Sequence, residues 1–195
     1  MNFKTTGLLV ALVVVLGAVW VFYPKSTAPD ETAVTVAPPS KQDTQPLLSP
    51  APESKSIVRV AVERPNMPRL VFTRAPKAEQ PDQMENWQAD EPLAVPVQTY
   101  TVDGLVSTMI GLQTRGSFKP GEAGGPTEAD AGLNPPLATV TLTDKNGREY
   151  KFEVGQKAAM STDTYLRLAG EGYIHIVSRE LESQVKREFD EYRDK

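Results

Sequence analysis

Residues Gly7–Tyr23, GLLVALVVVLGAVWVFY, run for seventeen positions without a charged side chain, and that stretch limits what the rest of the chain can be. At 1.5 Å per residue it makes a helix of about 26 Å, close to a hydrocarbon core of roughly 30 Å. It is apolar on every face, as a membrane span is and a surface helix is not. The anchor residues are Gly7, Leu8, Leu9, Val10, Leu12, Val13, Val14, Val15, Leu16, Val19, Trp20, Val21, Phe22 and Tyr23. Trp20, Phe22 and Tyr23 gather at its C-terminal end, where amphipathic rings favour the headgroup region. Lys4 precedes the run, whereas Lys25 is soon offset by Asp30 and Glu31. The positive-inside bias therefore puts residues 1–6 in the cytoplasm and the bulk of the chain outside. The competing reading is a cleaved signal peptide. Ser26-Thr27-Ala28 has the small-x-small form of its cleavage site, but Pro29 would follow the cut.

Between Pro24 and Ser56 the chain carries seven prolines and no aromatic residue, too little apolar surface to offset the entropy of ordering. It reads as a disordered linker which, fully extended, reaches roughly 100 Å at about 3.1 Å per residue. The formal net charge is −4, which argues against a nucleic-acid partner, since such surfaces carry a basic patch. Cysteine is absent and histidine occurs once. Disulfides, thiolate metal sites and multi-histidine centres are thereby excluded within a single chain.

The folded part is expected over residues 57–195. Ile57–Val62 and Arg69–Arg74 flank the turn signal Pro65-Asn66-Met67-Pro68 and read as a hairpin. Val102, Leu105, Val106, Met109 and Ile110 recur at helical spacing within Thr101–Gln113, with Thr101 as cap and Asp103 in the first turn. Gly116–Gly132, with five glycines and two prolines, reads as a flexible insertion. Val140 and Leu142 then alternate with threonines, and Tyr150, Phe152 and Val154 with charged residues, across an Asn146-Gly147 turn of the type I′ kind. Tyr165–Ala169 and Tyr173–Val177 extend this to a four-stranded meander. Ser178 opens a closing helix with Leu181, Val185, Phe189 and Tyr192 along one stripe and a Glu182–Lys186 pair on the other face. The expected fold class is α+β: an N-terminal transmembrane helix, a disordered proline-rich linker, then antiparallel hairpins each followed by an amphipathic helix.

Chemistry-bearing motifs are sparse. His175 is the first residue a catalytic reading would need, but alternation in Tyr173–Val177 gives it an ordinary strand position. No Gly-x-Ser-x-Gly elbow surrounds Ser107, Ser117, Ser161 or Ser178, and the glycines near Gly121–Gly125 are not a phosphate loop. Glu122, Glu128 and Asp130 lack the ligand spacing of a calcium loop. Asp103, Asp144, Glu149, Glu153 and Asp163 each have a cap, turn or solvated strand face to explain them. The expectation is therefore no catalytic residue, no metal and no cofactor.

Gly132-Leu133-Asn134-Pro135-Pro136, Ala138–Leu142 with the Asn146-Gly147 turn, Phe152–Gly155, Tyr165-Leu166-Arg167 and the closing Tyr192–Lys195 occur in an order that resembles a bacterial family of unknown function, number 4340 of that class. Trp87 and the Val102-Asp103 helix start also fit its pattern, so the resemblance covers about Ile57 to Lys195. The chain departs from it in the glycine-rich insertion and in ending at Lys195. The resemblance implies an envelope protein anchored in the bacterial inner membrane, some members being encoded beside ABC-type gliding-motility or export components. It carries no catalytic residues. The expected function is thus a non-enzymatic, single-pass structural or accessory component of a membrane complex, with the bilayer and envelope proteins as partners. The alternatives are an extracytoplasmic module binding a glycan or peptide through Tyr150, Tyr165 and Tyr173, and a hydrolase using His175.

Overall fold

The computed structural model describes residues 44–78, 80, 83–122, 125–158, 162–177 and 181–194. The expected anchor Gly7–Tyr23 and residues 24–43 of the expected linker lie outside them. Among the described residues no helix is long and apolar enough to cross a membrane.

Among the described residues ten strands form one antiparallel sheet. In chain order they are β1 (Gln45–Pro46), β2 (Ile57–Glu63), β3 (Leu70–Thr73), β4 (Gln88–Glu91), β5 (Val95–Pro96), β6 (Gln113–Phe118), β7 (Ala138–Asp144), β8 (Glu149–Lys157), β9 (Thr164–Leu168) and β10 (Ile174–Val177). Their order across the sheet is β1-β6-β10-β9-β8-β7-β2-β3-β4-β5. The meander β7 to β10 follows from alternation: Ala138, Val140 and Leu142 are buried while the intervening threonines are half-buried. Val140 faces Phe152 and Val62, and Leu142 faces Val60. One sheet face is thus apolar from Leu70 and Phe72 across to Leu166. Each such side chain contributes about 1.5–3 kcal/mol on burial.

Helix α1 (Thr99–Ile110) covers that face with Val102, Leu105, Val106 and Met109. Its cap residue is Gln98 rather than the expected Thr101, whose hydroxyl instead donates to the Gln98 side chain at 3.2 Å. The two-residue outer strands β1 and β5 each contain a proline, Pro46 and Pro96. Proline removes a donor from an exposed edge and so blunts edge-to-edge pairing.

The α+β expectation, with an amphipathic helix after each hairpin, is overturned by this single large sheet. The closing helix shrinks to α2 (Glu182–Val185), the backbone turns extended at Glu188 (φ −81°, ψ 162°), and a 3₁₀ turn follows at Phe189–Glu191. The stripe still does its packing, because Leu181, Val185 and Tyr192 are buried in the main core. Tertiary hydrogen bonds set the break: the Gln98 amide donates to the Tyr192 carbonyl at 2.7 Å, and Val97 pairs with Arg193. The expected Glu182–Lys186 ion pair forms across α2.

Three smaller corrections follow, the first two from the competition of long-range pairing with local composition and the third from a local carboxylate. Residues 44–56, assigned to the linker, join the fold: β1 pairs with β6, and Leu47 is buried. Gly116 lies inside β6, opposite Ile176, rather than opening a flexible insertion. Near the end of that stretch Ala131, with Leu133 just beyond it, packs on the second sheet face against Ile174, Phe118 and Tyr165. A Cβ on Gly155 would overlap the Ala131 carbonyl oxygen, so the contact requires glycine there. At the β7–β8 turn only Gly147 has positive φ, 80°. The Gly147 amide donates to the Asp144 carbonyl, and Asp144 Oδ1 accepts from the Asn146 and Arg148 amides at 2.8 and 3.0 Å. The carboxylate supplies the turn that a type I′ backbone would otherwise make.

Candidate functional site

Strand alternation carries Arg74, the residue after β3, onto the face of Leu70 and Phe72. Its side chain is only 7% exposed, and a guanidinium at that depth needs partners on every side. It finds four. Nε donates to the Ile57 carbonyl at 2.8 Å, Nη2 to the Ser54 carbonyl at 2.6 Å, and Nη1 to Asp103 Oδ1 at 3.1 Å. The group also lies over the Trp87 ring, 4.4 Å from its centroid, as a cation favours. Trp87 is fully buried, and its Nε1–H donates to the same Asp103 Oδ1 at 2.8 Å. Burial lowers the Arg74 pKa from its ordinary value, and the charge and hydrogen bond of Asp103 oppose that shift.

Arg74 and Asp103 of this triad line an open pocket of about 410 Å³, together with Ser54, Lys55, Gln83, Met84 and Ser107. Four chain segments build it: the 3₁₀ turn Ser54–Ser56, the chain just past β3 at Arg74, the segment around Gln83–Met84, and α1, where Asp103 and Ser107 lie one turn apart on one side. Asp103 is 43% exposed at its side chain, so its carboxylate joins the buried triad to the open pocket. Arg74 is the residue that sequence reasoning missed. Its signal was its phase, an arginine in step with two core residues and therefore in need of a carboxylate.

The residues singled out in the sequence do not converge. His175 Nε2 lies 2.7 Å from Glu171 Oε2, and Nδ1 is buried without a hydrogen-bond partner among the described residues. Ser117 is its cross-strand neighbour on β6, yet no hydrogen bond joins them, which the nucleophile–base arrangement of a serine hydrolase requires. Ser161 and Ser178 lie outside the described residues. Tyr150 points to the core side under Arg148, Tyr165 packs edge-on to Phe118, and Tyr173 is exposed beneath Lys119. Those three rings form no shared platform.

The carboxylates are likewise dispersed. Glu153 and Glu128 both hold Arg167, at 2.6 and 2.7 Å, and Asp163 pairs with Arg115 at 3.1 Å. The hydrogen bond to Glu153 is the main cause that raises the Arg167 pKa. Asp130 caps its own turn through Thr127, which lowers its pKa, and Glu122 accepts from the Lys119 amide. Among the described residues no group of three or more potential ligands is placed to hold a metal ion.

Trp87 and Asp103, sixteen residues apart, belong to the upstream residues on which the family resemblance rests together with Val102, and the fold joins them by a hydrogen bond. No curated protein and no solved structure matches the chain. A family model does match, over residues 87–195 rather than from Ile57. It begins at the triad's tryptophan and leaves out β2 and β3, which lie between β7 and β4 in the sheet. Because that match spans more than half of the chain, the chain belongs to the family described as Domain of unknown function (DUF4340).

Proposed function

We propose that the chain is a non-enzymatic, membrane-held envelope protein acting as a structural or accessory component of a membrane complex. The observation that carries this reading is the uncharged run Gly7–Tyr23, with Lys4 before it and interfacial aromatics at its end. A proline-rich stretch then separates it from a folded unit whose first described strand is β1 at Gln45–Pro46. Such an order holds a domain near a bilayer and leaves it free to engage neighbours there. The family resemblance adds an ABC-type export or motility complex as the neighbour. In the folded unit, Arg74 with Asp103 at the candidate site, and Arg167 with Glu153 and Glu128, are engaged in ion pairs that brace the fold.

Alkaline carbonate washing of membranes from cells expressing the full chain tests the anchor. The full chain is expected to stay in the pellet with Met1 still present, and a chain lacking residues 1–23 to be released. A native N-terminus near Pro29 would refute the anchor. The accessory role fails if affinity capture from detergent extracts repeatedly recovers no other membrane component.

A further inference from the structure

The pocket beside the Arg74–Trp87–Asp103 triad carries unused binding capacity. Asp103 Oδ1 accepts both the indole and the guanidinium, whereas Oδ2 makes no hydrogen bond among the described residues. The charge of Asp103 is offset by Arg74, while Lys55 forms no ion pair among the described residues. The pocket therefore presents in one lining an uncompensated positive charge and a carboxylate oxygen with free lone pairs. Ser54, Ser107 and Gln83 add neutral hydrogen-bonding groups, and Met84 adds a flexible apolar surface. A volume of about 410 Å³ falls within the roughly 300–1,000 Å³ range of small-ligand sites. Arg74 fixes this lining through bonds to two backbone carbonyls, so the site is largely pre-formed.

We propose that this pocket binds the free carboxy-terminal residue of a peptide. Three demands meet in that group: a carboxylate for Lys55, a neutral N–H close to it for Asp103 Oδ2, and a side chain for Met84. The N–H need not be charged, because Arg74 already neutralises Asp103. An internal acidic side chain fits less well, since its carboxylate and the nearest backbone N–H lie further apart. Capture of a chain terminus by a few convergent polar groups is an established mode of peptide recognition. The inference concerns the pocket alone and stands whether or not residues 7–23 anchor the chain.

The test uses the full chain in detergent micelles and fluorescein-labelled Ala-Ala-Leu, as free acid and as carboxamide, read by fluorescence anisotropy. Saturable binding of the acid is expected, weakened about fivefold on amidation or by Lys55→Met, the scale of one partly exposed ion pair. Lys55→Arg should restore it. Lys55 and Ser107 are exposed, so their variants keep the fold, and Ser107→Ala provides a second, milder loss. Equal binding of acid and amide, no saturable binding of either, or an unchanged affinity in Lys55→Met would overturn the proposal. Competition by glucuronate as strong as by the unlabelled peptide acid would also overturn it, showing a carboxylate site with no preference for peptide.

Discussion

Replacing Asp103 by alanine removes the single oxygen that joins Trp87, Arg74 and helix α1. The Trp87 indole N–H is then left without its acceptor at a fully buried position, which costs about 1–3 kcal/mol. Arg74 keeps its bonds to the Ile57 and Ser54 carbonyls but loses its counter-charge. Breaking a deeply buried ion pair costs about 3–5 kcal/mol. Here the Asp103 side is 43% exposed, so water screens the vacated site and about 1 kcal/mol is the appropriate scale. The expected loss is therefore about 2–4 kcal/mol, with each kcal/mol lowering Tm by about 2–4 °C in a chain of this size. Asp103→Asn keeps a side-chain carbonyl for the indole and should lose only about 1 kcal/mol. Urea denaturation of the full chain in detergent, followed by circular dichroism, measures both. A loss below about 0.5 kcal/mol for the alanine variant, the scale of an ordinary surface substitution, would refute this account of the triad. So would an asparagine variant as unstable as the alanine one.

Three further outcomes follow from other parts of the sheet. Gly155→Ala forces the Ala131 segment off β8; it should cost about 1–3 kcal/mol and speed protease cleavage within residues 125–137, whereas unchanged cleavage would contradict the contact. Arg167→Ala leaves Glu153 and Glu128 facing each other without their shared cation, and should loosen the same segment, seen as faster amide exchange there, by about 1 kcal/mol. Burial raises the Tyr192 pKa to about 12, so between pH 10 and 12 the unfolded chain ionises this group before the folded one does. Stability should fall by about 2–3 kcal/mol across that window, and Tyr192→Phe should show that much less alkaline loss than the parent chain. Equal losses in the two proteins would show that the phenol does not titrate with folding.

Periodicity made the middle of this fold legible, and long-range pairing hid its margins. Ala138–Asp144 alternates so regularly that its two faces and its hairpin partner are legible, and the apolar spacing of Val102 to Met109 gives α1. The C-terminal stripe was read as a helix because Leu181, Val185, Phe189 and Tyr192 have helical spacing. Its path is set instead by the bond between Gln98 and Tyr192, residues too far apart in sequence for local composition to report. β1 and β5, two residues each with a proline, have no period to detect. Within the site, Trp87 and Asp103 were both noticed, but their meeting was not, since it depends on the turn of chain between β3 and α1. The turn at Asn146-Gly147 was located correctly and given the wrong geometry, because the Asp144 side chain was left out of account.

The place of β2 in the sheet has a consequence for synthesis. It lies between β3, its near neighbour in the chain, and β7, which begins roughly seventy-five residues after β2 ends. At about 5–20 residues per second, the ribosome leaves the β2–β3 hairpin waiting about 4–15 s with Val60 and Val62 uncovered and one hydrogen-bonding edge open. During that interval the charges of Arg59 and Glu63 on the opposite face are what the nascent strand itself offers against mispairing. Shielding this edge until Ala138–Asp144 emerges is therefore a condition for a high yield of folded protein.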